Sequence, residues 1–259
     1  SKDAAVTLLR AHDLSIGYGR TVIARGIDLP IEAGGVTCLL GPNGIGKTTL
    51  FKTLLGLIPP LSGRVEIESN DLTSLDQQTV ARHIAYVPQA QVTEFSYSVL
   101  DLVVMGRTAH LGAFTAPGAN DYAIAMTALE RLGIAALADR DSTRISGGQR
   151  QLALIARALA QQARVIVMDE PTASLDLGNR ILVLETIRSL SADNLAVVLS
   201  THEPEHAFVV ADLVAILAAN GFLTGPVENV MTSDELSRLY RVGLVVEKTP
   251  SGRSIVGPA

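Results

Sequence analysis

Apolar and polar residues alternate from Val6 to Leu29 on either side of Gly17-Tyr18-Gly19. This period of two predicts a pair of antiparallel strands joined by a turn. Val36 to Leu40 is short and almost wholly apolar, as a strand buried on both faces should be. A glycine-rich loop follows, and then a helix is predicted from about Lys47 to Leu57, stopped by Pro59-Pro60. Arg64 to Ile67 and Ile84 to Val87 read as further strands.

The texture changes after Gln89. From Tyr97 to about Gln162 the apolar period is helical and strand signal almost vanishes. SVLDLVVMGR, DYAIAMTALERLGI and RISGGQRQLALIARALAQ are three predicted helices, with a loop at Gly112 to Gly118 between the first two. Strand and helix alternate again from Arg164: strand RVIVMD, helix Gly178 to Leu190, strand LAVVLS, helix Pro204 to Val210, strand Leu213 to Leu217. The tail from about Thr224 carries a short helix, Ser233 to Tyr240, and two small strands. The pattern predicts an α/β chain whose parallel-sheet core is interrupted by a helical insert.

Composition sharpens this picture. The 259 residues suffice for one large domain, and 47% hydrophobic with only 4% aromatic residues suits an aliphatic, sheet-centred interior. A net charge of −5 argues against a nucleic-acid partner, which usually meets a basic face. The single Cys38 lies in a predicted buried strand, supplies neither a disulfide nor a zinc site, and fits a reducing compartment. SKDAAVTLLR holds no long apolar region, so no signal peptide is expected. The longest apolar tract, Ala207 to Leu223, is interrupted by Asp212 and ended by Asn220-Gly221. It reads as a helix end, a strand and a turn rather than a span of about 20 apolar residues. The mean hydropathy of +0.31 is high for a chain without a span and is compatible with docking on a membrane partner.

Several stretches carry chemistry. GPNGIGKTT, Gly41 to Thr49, follows a strand and opens a helix, the pattern of a phosphate-binding loop. Its glycines allow successive amides to face phosphates, Lys47 reaches the outer phosphates, and Thr48 offers a hydroxyl to Mg²⁺. RVIVMDE, Arg164 to Glu170, is a buried strand ending in two carboxylates, at the strand end where parallel α/β sheets bind ligands. Asp169 suits the Mg²⁺ shell and Glu170 a general base for water attacking a γ-phosphate. Taken alone, an Asp-Glu pair there would cap a helix or turn. His202 ends strand LAVVLS and Gln89 follows strand IAYVP. Each would be unremarkable alone, but beside a nucleotide His202 would order water and Gln89 would reach Mg²⁺ or water. Ser146-Gly147-Gly148 open a helix with a hydroxyl and bare amides, a second anion site. Tyr18, in a turn ahead of the loop, offers a face for adenine or is an ordinary edge-strand tyrosine.

Together these residues resemble the ATP-binding cassette (ABC) ATPases, over nearly the whole chain. In the resemblance Tyr18 stacks on adenine. Gly41, Pro42, Asn43, Gly44, Ile45, Gly46, Lys47, Thr48 and Thr49 form the Walker A loop, and Gln89 the Q-loop. Ser146-Gly147-Gly148-Gln149 is the signature, Arg164 to Glu170 the Walker B strand, Ser174-Leu175-Asp176 the D-loop and His202 the H-loop. Two positions depart from the pattern: Ile145 replaces the usual signature leucine, and Ile45 stands where a small residue is more usual. The second should be tolerated because backbone amides make the phosphate contacts. The resemblance implies a phosphate-loop NTPase fold with a mixed, mainly parallel sheet, an N-terminal antiparallel β part and an inserted α-helical subdomain. Residues 1–90 and 163–259 would form the core and 91–162 the helical subdomain of one ABC ATPase domain. It also implies ATP and Mg²⁺ as ligands. Two copies would pair head to tail, so that Ser146, Gly147 and Gly148 of one grip the γ-phosphate held by Lys47 of the other.

Several runs look more specific: FSYSVLDLVVMGR, HLGAF, ISGGQRQLALIARALAQ, THEPEHA and VMTSDELSRLY resemble ATPases of metal-chelate importers. That group takes up iron-siderophores, haem, cobalamin and, in some members, molybdate or tungstate. The resemblance implies a dimeric permease seated on about Gln89 to Met105, fed by a periplasmic or surface-tethered binding protein, with this chain on the cytoplasmic face of the membrane. Phe95, Tyr97 and Met105 are the apolar candidates for that contact, against a reading as core of the helical lobe. His110 and His206 have no partner at metal-ligand spacing and read as surface or packing residues. No heptads separate Lys47 from Asp169, which disfavours a chromosome-maintenance ATPase. One cassette on an acidic chain disfavours a ribosome-acting protein. The alternatives are an exporter subunit, since the ATPase alone does not set direction, or a soluble ABC ATPase not coupled to transport.

Overall fold

The computed structural model describes residues 6–89, 96–112, 114–219 and 221–259. Two long strands, β1 (Thr7–Tyr18) and β2 (Thr21–Glu32), pair antiparallel through a turn at Gly19-Arg20. With β4 (Ser62–Ile67) and β5 (Asn70–Asp71) they make a four-stranded antiparallel sheet in the order β2-β1-β4-β5. The second sheet has six strands in the order β10-β9-β3-β8-β7-β6. Its members are β3 (Val36–Leu40), β6 (Ile84–Val87), β7 (Val165–Met168), β8 (Ala196–Thr201), β9 (Leu213–Ala218) and β10 (Gly221–Pro226). All pairings among the first five are parallel, and β10 lies antiparallel on the edge.

The sheet is buried on both faces, and strand alternation sorts its side chains between two cores. Leu39, Val167, Val198 and Leu217 join the antiparallel sheet and the helix α1 (Lys47–Leu54) in one cluster. Cys38, Leu40, Val87, Ile166, Met168 and Leu199 point the other way. There they meet α3 (Val99–Val104), α4 (Ala119–Arg131), α5 (Gly147–Ala160) and α6 (Leu177–Ala192). Burial of Cys38 pushes its thiol pKa up to about 12. The helices between β6 and β7 therefore have no separate core; they share one with the sheet face on which they sit. Arg107 ties this region together: 5% exposed, it donates to the Asp121 carboxylate at 3.0 Å and to the Ala160 carbonyl at 2.8 Å.

Some expectations need correction. Helix α1 ends at Leu54 rather than near Leu57, because the amides of Leu57 and Ile58 turn back to the Lys52 carbonyl before the prolines are reached. A helix α2 (Gln77–His83), capped by Asp76, has only Val80 buried and so no apolar period to announce it. The apolar tract after Ala207 becomes the end of α7 (Pro204–Val210), then β9 and β10. β10 has no fully buried residue and contains two glycines and a proline, which hid it. The tail adds α8 (Val227–Val230), α9 (Ser233–Tyr240) and the hairpin of β11 (Leu244–Lys248) with β12 (Ser254–Pro258). No helix among the described residues is long and apolar enough to cross a membrane.

Candidate functional site

The loop Gly41 to Gly46 links β3 to α1 at the carboxyl end of the parallel sheet. Gly46 takes φ of 114° and is the N-cap of α1; a Cβ there would lie 2.4 Å from Ile23 Cγ2, so only glycine fits. Lys47 is 5% exposed. Its ammonium is held inside the loop by the carbonyls of Gly41 at 2.8 Å and Pro42 at 3.3 Å, and by Glu170 Oε1 at 3.4 Å. A buried ammonium needs such partners, since removing it from water without them is costly. Asn43 and Gly44 are exposed at the loop tip. Ile45 is half-buried and packs against the cluster under the antiparallel sheet.

Parallel register brings the carboxylates to this loop. Met168 pairs with Leu199, so Asp169 and Ser200 emerge side by side. Ser200 donates to Asp169 Oδ1 at 2.6 Å, and Thr48 donates to Asp169 Oδ2 at 2.7 Å. Tyr86 reaches the same Oδ2 at 3.4 Å; burial first and the carboxylate second push its phenol pKa up to about 12. A hydroxyl and a carboxylate held together in this way are hard oxygen donors of the kind Mg²⁺ prefers. Glu170 follows with φ of 46°, a left-handed turn that swings its carboxylate back over the loop. Its Oε1 faces Lys47, and its Oε2 lies 3.5 Å from His202 Nδ1. The Glu170 amide donates to Ser200 Oγ, so one serine seats both acidic residues. Tyr18, half exposed, ends β1 rather than sitting in the turn, and its hydroxyl accepts from Thr49 at 3.5 Å. Gln89 is exposed just beyond β6.

The second group lies apart. Ser146 is the N-cap of α5: its Oγ accepts from the Gln149 amide at 3.2 Å, and Gln149 Oε1 accepts from the Ser146 amide at 3.0 Å. Ser146 and Gly147 are exposed. Gly148 is pressed on α6; a Cβ there would come 2.1 Å from Asn179 Oδ1. Asn179 in turn donates to both oxygens of Asp176, the N-cap of α6. Ser174 takes φ of 62°. The structure thus joins Lys47, Thr48, Asp169, Glu170 and His202 in one cluster, and Ser146 to Gln149 with Ser174 to Asp176 in another. Reasoning from the sequence missed Tyr86 and Ser200 as the seat of Asp169; the polar Ser200 in an otherwise apolar strand was the available signal. His110 bonds the Gln161 carbonyl at 2.7 Å, and His206 is buried among Thr172, Thr201 and Glu203.

A phosphate loop on a parallel sheet, with acidic strand ends beside it, defines a nucleotide triphosphatase. The profile of the ABC transporter family matches residues 24–173. Over 242 residues, 93% of this chain and 92% of the relative, it is 43% identical to an uncharacterized ABC transporter ATP-binding protein of Haemophilus influenzae. It is 38% identical to the molybdate import ATP-binding protein MolC of the same organism, over 83% of this chain and 81% of that one. Among solved structures, a metal-chelate type ABC transporter in an inward-facing conformation matches 98% of both chains with a TM-score of 0.88 and 33% identity. The chain belongs to the ABC transporter family, as an ATP-binding ATPase.

Proposed function

We propose that this chain is the ATP-hydrolysing subunit of a bacterial importer for a metal chelate or a related oxyanion, such as an iron-siderophore, haem, cobalamin or molybdate. Residues 1–90 and 163–259 serve as its α/β core and 91–162 as its helical subdomain. In this reading Lys47 and the amides of Gly41 to Thr49 hold the ATP phosphates, and Tyr18 stacks on the adenine. Thr48, Asp169 and Gln89 hold Mg²⁺, which draws charge off the outer phosphates. Glu170 takes the proton of the attacking water, and His202, on the other side of that carboxylate, orients the water and the terminal phosphate. Ser146 to Gln149 and Asp176 complete the site of a second copy, placed head to tail.

The observation that carries the transport half is a groove of about 990 Å³ beside α3. Tyr97, Met105, Tyr122, Val104, Gln78 and Gln161 line it. Tyr97 and Met105 are about 40% exposed there, where the core reading would have buried them. A concave, solvent-facing surface of this size, with aromatic and aliphatic groups beside Asp101 and glutamines, suits a helix from a permease at the cytoplasmic face of the inner membrane. Phe95, named with them, lies outside the described residues. A periplasmic or surface binding protein would deliver the substrate to that permease; this chain would not touch it.

The test is extraction of the tagged chain from native membranes in mild detergent, with identification of what accompanies it. Recovery of a polytopic permease of metal-chelate type, lost with Met105→Asp, is the expected result. Its binding protein would then be titrated with iron chelates, haem, cobalamin and molybdate. A soluble or ribosomal partner without a permease would overturn the transport assignment, and an exporter permease would overturn its direction.

A further inference from the structure

His202 stands just past β8, and hydrogen bonds fix the residues around it. The Glu203 amide donates to Thr201 Oγ1 at 3.0 Å, closing a turn about His202. The Tyr240 hydroxyl, at the end of α9, donates to the His202 carbonyl at 2.8 Å. Below the turn lies His206, 4% exposed, with Nδ1 at 3.1 Å from Thr201 Oγ1 and 3.3 Å from Thr172 Oγ1. Burial lowers its pKa, against the opposing pull of Glu203. In the neutral imidazole with its proton on Nε2, that nitrogen lies 3.3 Å from Glu203 Oε2, and the single lone pair of Nδ1 accepts from a threonine hydroxyl.

The same Glu203 Oε2 receives Arg180 Nη1 at 2.7 Å. The other amine of that guanidinium reaches the Leu175 carbonyl at 3.4 Å, next to Asp176. Arg180 Nε is buried with no hydrogen-bond partner among the described residues, so the guanidinium is committed to these two contacts. A continuous polar chain therefore runs from the loop at Ser174 to Asp176, through Arg180, Glu203 and His206, to Thr172 and Thr201 on either side of the acidic cluster.

We propose that Arg180, Glu203 and His206 are positioning residues that hold His202 against Glu170 and keep the 174–176 loop in register with it. The proposal rests on the reading of Glu170 and His202 as the hydrolytic pair. The competing account is purely structural: Glu203 and His206 also open α7, and that role would affect unfolding without touching turnover.

Steady-state ATPase assays on the full chain, well below its unfolding midpoint, separate the two. Glu203→Gln and Arg180→Gln should each lower kcat about tenfold with KM for ATP within about twofold, as loss of an interaction felt only in turnover does. The double variant should be no slower than the slower single one, because both cut one chain. In a His202→Ala background Glu203→Gln should cost nothing further. Both sites are about one-third exposed in their side chains. If Glu203→Gln nonetheless fails to fold, Arg180→Lys, which keeps the charge but spans only one acceptor, should give an intermediate loss that also vanishes in the His202→Ala background. A full additional tenfold loss on top of His202→Ala, or a lowered melting temperature with unchanged kcat, would overturn the proposal. Wild-type kcat in His202→Ala itself would overturn the hydrolytic reading as well, and is told apart because a failed network alone leaves His202→Ala slow.

Discussion

At the phosphate loop, one chain meets nearly all of its own needs. Lys47 is buried among three oxygen acceptors, and Asp169 is held by Thr48 and Ser200. At the start of α5 the reverse holds. Ser146 and Gln149 satisfy each other, Ser146 and Gly147 face solvent, and the amides of Gly147 and Gly148 take no part in the cap. Helix N-termini leave amides unpaired, and water or an anion then completes them. The first place is enclosed by the fold, and the second is presented outward. The contrast supports a composite site, in which the exposed group of one copy closes over the enclosed group of another.

The strongest attempt to break this contrast uses two variants. Lys47→Ala should lower ATPase activity about 100- to 1,000-fold, by removing the charge proposed to meet the phosphates. Ser146→Arg, at an exposed position that folding tolerates, should be comparably inactive. An equal mixture should recover roughly a quarter of wild-type activity, since half the dimers would be mixed and each would hold one intact site. A mixture that stays inactive while both variants fold and dimerise would refute composite sites.

Glu170→Gln addresses the enclosed half alone. Loss of a general base should slow turnover at least about 100-fold while ATP still binds. Gel filtration with ATP should then show a long-lived dimer, and normal turnover would move the base elsewhere. A smaller effect sharpens the presented half. Gly148→Ala puts a methyl where Asn179 already lies, and Asn179 is pinned by Asp176. The start of α5 must shift against α6, so activity should fall about tenfold, in line with ordinary overpacking. Equilibrium ATP binding to the isolated copy should not change, because the phosphate loop is untouched.

The smallest effect concerns how the presented half is held. Asp141 accepts from Ser96 Oγ and from the amide and hydroxyl of Thr143, which anchors the loop leading to Ser146. Chiefly the Ser96 bond, then those of Thr143, lower its pKa from 3.8 to about 2. A carboxyl whose folded pKa is depressed stabilises the fold above its unfolded pKa, and that contribution fades as pH falls from about 4 toward 2. Asp141→Asn should therefore flatten the acid limb of the stability profile in that window, measured by denaturant unfolding. An unchanged limb would remove Asp141 from the anchor.

Much of this molecule was legible in its residues. Strands buried on both faces leave unbroken apolar runs, so β3, β6, β7, β8 and β9 stood out, and the glycine-rich loop announced itself by the conformations it requires. Ser146 marked the start of α5, since a cap with the amide three residues on is a local event. Elements that bury little, such as α2 and β10, carry no period and stayed hidden. Tertiary structure alone decided the rest. Parallel register set Asp169 beside Ser200, residues 31 apart, and seated Thr48 on the same carboxylate from 121 residues away. It also left Ser146 in solvent and Lys47 out of it. A short motif specifies what a backbone segment does to itself, whereas enclosure depends on which distant strands crowd its end, and that is a property of packing.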